Sequence, residues 1–396
     1  MGALSTLKAI GAATSLTAAV AREKIGLVRP ATEPHEVPHA ASAITEQWLT
    51  HALCKHIPNA HVARVEVLGG DDGTSSRRTL AVEYNDAGRA AGLPSTLFSK
   101  STATIGSRLL LGLTGITEGE AVFYTSARPT LTLRSPISYF AGYDGRAHRS
   151  MVLLEDLSVK NWTFPDPMAN PVTYHDALDI VDQLARYHGN LWESERLGQD
   201  LARIRDSLPW QENPNSKFPF ERRVLKGMET ARDVIPDALY RRRSEVFPKF
   251  MRSLQLHRES PKTLLHQDLH LGNWLRDESG QMGLHDWQCV AKGHWALDYS
   301  YAIAGCVDRS DREQWQEDLL RSYLDRLTEY GAKSIPDFDQ AWLAYRQQPL
   351  HALAFGLFTL GGSSLEPELQ PREYTISAIG RIASMVDDLT TLDSLD

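Results

Sequence analysis

The sequence predicts an α+β protein in two parts, a small β-rich part with one helix and a larger, mainly helical part. Three observations carry this. Short β-branched and aliphatic runs alternate with turn-forming clusters up to Leu154, apolar residues recur at three and four positions from Val172 onward, and the character changes between residues 155 and 158. The division predicted is an N-terminal arm over 1–40, a first domain over 41–157 and a second over 158–396.

Residues 9–21 are rich in Ala, with Lys8 ahead of them, and are too short to span a bilayer; they read as a helical arm, frayed or packed on the body. Thr45 can cap a helix whose apolar positions Trp48, Leu49, Leu53 and Ile57 keep helical spacing up to Pro58. A hairpin follows, with Val62, Val65, Val67 and Leu68 on one strand, residues 79–84 on the other and Gly69–Thr74 at its tip. A third strand, 95–100, ends on Lys100. Residues 117–128 have a helical pattern with Glu120 on one face, and two further strands fit 137–143 and 151–154 around Asp144-Gly145-Arg146. Beyond them the chain reads as helix, except for short strands flanking Asp277-Glu278-Ser279-Gly280.

Acidic residues number 50 against 42 basic ones, a net charge of −8 without long blocks of one sign. Nucleic-acid binding, which needs a basic surface to displace counterions, is thereby disfavoured. Cys54, Cys289 and Cys306 have neither metal spacing nor an even count, so a disulfide framework is disfavoured and a cytoplasmic location is expected.

The chemistry concentrates in His266-Gln267-Asp268-Leu269-His270-Leu271-Gly272-Asn273 and in His285-Asp286-Trp287-Gln288, whose Asp286 lies thirteen positions after Asn273. Residues 274–276, a Ser-Gly turn and 282–285 would form a hairpin whose ends bring Asn273 and Asp286 together. An amide oxygen and a carboxylate suit magnesium, a hard cation that takes a few protein oxygens and completes its shell with phosphate and water. Asp268, one loop away, is placed to accept the proton of an attacking hydroxyl.

These motifs resemble those of the aminoglycoside phosphotransferase and choline kinase superfamily, which has a protein-kinase-like fold, and within it most nearly the ecdysteroid-kinase-like branch. The first motif is similar to that family's His-Gly-Asp-x-x-x-x-Asn loop, and His285-Asp286-Trp287-Gln288 to its metal motif. Lys100, Glu120-x-x-Phe123-Tyr124, Leu153–Leu157, Leu184-Ala185 with His188 and Trp192, and Asp298-Tyr299 extend the resemblance over roughly residues 45–330 in matching order. It implies an ATP- and Mg-dependent phosphotransferase acting on a small-molecule alcohol. Lys100 would meet the α- and β-phosphates with Glu120 as its partner, Glu155 to Leu157 would form the hinge beside adenine, and Asp298 and His266 would brace the loop. Gln267 stands where the family usually has glycine, and the tip around Gly73 and Thr74, the candidate phosphate donors, lacks a full Gly-x-Gly-x-x-Gly and carries Asp71 and Asp72, which are expected to face solvent.

Two other readings are carried: a metallohydrolase using His266, Asp268, His270 and His285, and a pseudokinase-type binding module. His270 either touches the γ-phosphate or fills the loop. For the acceptor, residues 210–220 and 342–358 are candidate walls; His351, Phe355 and Phe358 share a helical face, and no acid occurs between Asp339 and Glu366. That composition suits an uncharged, fairly apolar alcohol better than a polycation.

Overall fold

The computed structural model describes residues 16–23, 25–108, 111, 115–169, 171–217, 219–258, 261–362 and 371–396. The described chain divides into two compact units: residues up to Thr130 together with Pro136–Asn161, and Leu131–Ser135 together with Trp162–Asp396.

In the first unit β1 (Val62–Asp72), β2 (Ser76–Tyr84), β3 (Thr96–Ser101), β4 (Ser138–Asp144) and β5 (Arg149–Glu155) form one antiparallel sheet in the order β1, β2, β3, β5, β4. Asp72 pairs with Ser76, so the β1–β2 connection is tight. Gly70 makes this possible. It has φ 146°, and a Cβ there would lie 1.9 Å from the Arg77 carbonyl oxygen. One face of the sheet is sealed by the helix Glu46–Leu53, capped by Thr45, whose Trp48 and Leu49 are fully buried against Leu80, Leu97, Met151 and Leu153. Trp48 also packs edge-on against Phe140 and donates its indole N–H to the Glu36 carbonyl at 3.0 Å.

Two helix lengths differ from expectation. The first helix stops at Leu53, short of Pro58. The helix after β3 is α-helical only over Ile116–Val122 and continues as a π turn over Phe123–Ala127. There the Thr125 hydroxyl donates to the Ala121 carbonyl at 2.8 Å, competing for an acceptor that a regular turn would need. Residues 1–15 of the arm lie outside the described residues. Residues 16–23 are helical, bury Leu16 and Val20, and end in a buried Glu23–Arg108 ion pair.

The second unit is mainly helical. Thr173 and Asp176 cap the helix Tyr174–Leu191 reciprocally, and Asp176 also binds Arg276 at 3.0 Å. Here β6 (Lys262–Leu265) pairs with β9 (Ala291–His294), while β7 (Trp274–Arg276) and β8 (Met282–Leu284) form a hairpin. Helices Phe220–Thr230 and Leu350–Leu360 approach backbone to backbone. Gly227 permits it, since a Cβ there would come within 2.2 Å of the Leu357 carbonyl. Among the described residues no helix is long and apolar enough to cross a membrane.

Candidate active site

The candidate chemical residues fall in two places, one in each unit. In the second unit, β6 runs into the loop 266–273, a short 3-10 turn Leu271–Asn273 and then β7. The β7–β8 hairpin closes at its base through the His285 N–H, which donates to the Asn273 carbonyl at 3.0 Å. Asn273 and Asp286 therefore sit at the two ends of one short hairpin. The Asn273 amide nitrogen is committed to the Asp268 carbonyl at 2.7 Å, which leaves its oxygen as the group available to a cation. Asp286 has φ 59°, a left-handed conformation unusual for a non-glycine residue and characteristic of positions held by their surroundings. This amide and carboxylate match the hard-oxygen preference of magnesium.

Asp298 organises the loop from below. Fully buried, it accepts from the backbone N–H groups of His266 at 2.6 Å and Gln267 at 2.9 Å and from the Tyr187 hydroxyl at 2.7 Å. Burial by itself would raise its carboxyl, but His188 at 3.5 Å, Tyr187 and the loop amides outweigh that and hold it below the ordinary carboxylate value. His266 ties the two motifs together. Its Nε2 lies 2.9 Å from the His285 carbonyl, so Nε2 carries the proton and Nδ1 receives the Asp268 N–H at 3.3 Å. Burial pushes its basicity down, consistent with a neutral ring in this role.

Gln267 has φ 67°. This is a left-handed conformation that glycine adopts without steric cost and a residue with a Cβ does not. In this chain Gln267 is held there by three contacts: its N–H on Asp298, its side-chain amide on the Ser207 hydroxyl, and its carbonyl 3.1 Å from His351 Nε2. His351 is thereby a brace for the loop, with its other ring nitrogen 3.1 Å from the Gln211 amide.

Asp268 itself is partly exposed. The Tyr301 hydroxyl donates to its Oδ1 at 3.3 Å, and His270 Nε2 lies 3.8 Å from the same oxygen. Tyr301 is a residue that sequence reasoning missed, although its place three positions after Asp298 on the helix Ala296–Cys306 puts the two on one face. Burial, followed by the Asp268 charge, raises its phenol well above the ordinary value, so it remains a donor.

In the first unit Lys100 and Glu120 meet at 2.8 Å, both nearly buried. The acids at the hairpin tip are exposed and neutralised, Asp71 by Arg77 at 2.7 Å and Asp72 by Arg78 at 2.9 Å. The Gly73 N–H is already used on the Ser75 carbonyl at 3.0 Å, and Thr74 beside it is half-buried. Glu155 is likewise committed: its N–H donates to the Ile137 carbonyl at 2.9 Å, while its carboxylate receives the Ile137 N–H at 2.8 Å and pairs with Lys160. Leu157 opens a 3-10 turn, and its carbonyl receives the Lys160 N–H at 3.1 Å.

The two acceptor stretches do meet. Phe220 stacks on Phe358 at 4.5 Å, and Trp210 lies parallel to Phe355 at 6.5 Å. Most of this stripe is used in packing helices together, which leaves Trp210 and Phe355 as half-buried aromatic surfaces. Among the described residues no group of three His, Cys, Asp or Glu side chains is placed to hold a metal ion.

Residues 166–334 match the model of the phosphotransferase enzyme family, a stretch that contains the loop, the hairpin and Asp298. No curated protein matches the sequence. Among solved structures, a protein from Ralstonia eutropha JMP134 provisionally described as an aminoglycoside phosphotransferase superposes with a TM-score of 0.51 at 12% identity, covering 86% of this chain and 95% of that one. A choline kinase from Cryptosporidium parvum Iowa II gives 0.48 at 12% identity over 86% and 95% of the two chains, and a microcompartment-associated aminopropanol kinase 0.47 at 14% over 87% and 97%. The first of these likenesses establishes the fold: a mixed α+β, kinase-like chain with a five-stranded antiparallel sheet followed by a helical region.

Proposed function

We propose that this chain is an ATP- and magnesium-dependent phosphotransferase that phosphorylates a hydroxyl group of a small molecule. The observation that carries the proposal is the closed β7–β8 hairpin, which sets Asn273 and Asp286 at its two ends and joins Asn273 to the Asp268 carbonyl. The family match over residues 166–334 supports the same reading.

In the proposed reaction the acceptor oxygen forms a bond to the γ-phosphorus as the bond from that phosphorus to the β–γ bridging oxygen breaks. ADP departs, and the hydroxyl proton passes to Asp268. Asp268 suits this task because its carboxylate is partly exposed, with one oxygen oriented by Tyr301. Asn273 and Asp286 would hold magnesium, which when bound neutralises phosphate charge. Lys100 would bind phosphate oxygens, and Glu120 fixes the ammonium group in place. His270 is near enough to Asp268 to share the polar environment of the reacting groups. Residues 41–157 are assigned to nucleotide binding and 158–396 to catalysis and acceptor binding, with 1–40 as an N-terminal arm. A cytoplasmic location is part of the proposal, supported by three cysteines that all remain thiols.

A coupled ADP-release screen over a panel of alcohols tests this reading. At least one alcohol should drive magnesium-dependent ADP release, and Asp268→Asn should reduce its turnover about a hundredfold or more. Nucleotide binding with no ADP release from any alcohol would support a pseudokinase-type binding module instead. Full activity of Asp268→Asn would remove Asp268 from its role.

A further inference from the structure

Arg205 lies just before the helix Ser207–Lys217, and none of its three guanidinium nitrogens has a hydrogen-bond partner, although all three are withdrawn from solvent. The guanidinium rests on the ring of Trp210, its carbon 4.0 Å from the ring centroid. A stacked guanidinium gains some attraction from the aromatic face, but stacking leaves its in-plane N–H donors unsatisfied. The neighbouring acid does not supply acceptors. Asp206 turns instead towards Lys262 at 3.4 Å and Lys292 at 4.0 Å. Burial lowers the basicity of Arg205 to about 10, still far enough above neutrality for it to be charged.

Its position relates it to the base. Two residues on, the Ser207 hydroxyl receives the side-chain amide of Gln267, the residue immediately before Asp268. The Arg205 carbonyl receives the Lys292 N–H at 2.8 Å, anchoring the backbone to the segment that follows Asp286. An unpartnered guanidinium is thus built in beside the 266–273 loop, stacked on Trp210, which belongs to one of the candidate acceptor stretches.

We propose that Arg205 and Trp210 form an oxyanion subsite of the acceptor pocket, so that the alcohol phosphorylated carries a carboxylate or phosphate group in addition to its hydroxyl. The inference rests on the phosphotransferase reading for the word acceptor, but not for the binding itself. It changes the expectation drawn from the acid-free segment 340–365. The absence of acids there still disfavours polycations, and Arg205 adds a preference for an anion over an uncharged alcohol. The planar guanidinium supplies two parallel N–H donors to one carboxylate or phosphate, and its stacking on Trp210 fixes the plane in which those donors lie.

The test is binding to nucleotide-free protein, by calorimetry at constant ionic strength. The probes are inorganic phosphate and matched pairs of hydroxy acids and their methyl esters, beginning with 4-(hydroxymethyl)benzoate. Wild-type protein should bind phosphate, and should bind at least one free acid about tenfold or more tightly than its ester. Arg205→Met should lose that discrimination. Arg205→Lys, which keeps the charge without the fork, should retain an intermediate part of it and provides the measurement if the methionine variant does not fold. Saturating ADP should leave the anion affinity unchanged. The proposal is overturned if no acid is preferred to its ester and phosphate does not bind, if either variant discriminates as well as wild type, or if ADP displaces the anion, which would assign Arg205 to the nucleotide. The ADP-release screen is a separate measurement, so anion binding without turnover would count against the phosphotransferase reading alone.

Discussion

His351 couples the acid stability of the protein to the loop 266–273. The imidazole is buried, one nitrogen 3.1 Å from the Gln267 carbonyl and the other 3.1 Å from the Gln211 amide. Burial lowers it from 6.5 to about 4, against the opposing pull of the Gln267 carbonyl and of the Asp298 and Asp268 charges. In the unfolded chain it regains its ordinary value. The unfolded state therefore binds more protons between those two values, and stability falls as pH drops through 6.5 and levels off below about 4. Linkage places the contribution of this one residue at about 2 kcal/mol between about pH 7.5 and about pH 5. His351→Gln keeps a group able to bond the Gln267 carbonyl and removes the titration. Urea unfolding of both proteins at the two pH values measures the difference. The variant's own cost cancels in the comparison, as do the contributions of His188, His266 and His294, which burial lowers in both proteins. The wild type should lose about 2 kcal/mol more than the variant on acidification; equal losses would refute the assignment of a buried neutral imidazole at this position.

Asp286→Ala should abolish magnesium-dependent turnover, because it removes one of two protein oxygens proposed for the cation; normal turnover at ordinary magnesium would show that the cation is held elsewhere. Lys100→Met and Glu120→Gln should each destabilise the protein by about 3 kcal/mol, since each breaks a nearly buried ion pair from one side. The double variant should cost less than the sum by about 1–3 kcal/mol, and strict additivity in urea unfolding would mean that the pair is not coupled. Gln267→Ala and Gln267→Gly both lose the bond to Ser207, but only alanine keeps the left-handed strain. Alanine should therefore be the less stable by about 1 kcal/mol, and an equal melting temperature for the two would show that the backbone there carries no strain.

Much of the candidate site is legible because its hydrogen bonds are local in the chain. The β7–β8 hairpin follows from a turn flanked by two apolar triplets, and once it forms, the Asn273 and Asp286 backbones must meet. The pairing of Lys100 with Glu120 is legible only through the resemblance of the surrounding motifs, since a lysine ending a strand and a glutamate on a later helix do not by themselves specify contact. The π turn at Phe123–Ala127 is less visible, since it depends on which acceptor a single threonine hydroxyl finds.

By itself, then, the sequence determined the alternation of strand and helix, the residues of the loop and hairpin, and the oxygen-rich chemistry at its ends, because these depend on periodicity, turn residues and side-chain type over short spans. Only the tertiary structure decided how those groups are used. Gly73 and Glu155 have their N–H groups committed to neighbouring carbonyls, and the aromatic stripe is divided between helix packing and partly exposed surface. Tyr301 reaches Asp268, His351 reaches Gln267 across 84 residues, and Arg205 is buried without an acid to meet it. Each of these depends on which distant segment packs beside the group: a buried donor or acceptor is satisfied by whatever the fold brings within about 3 Å, a distance that spacing along the chain does not encode.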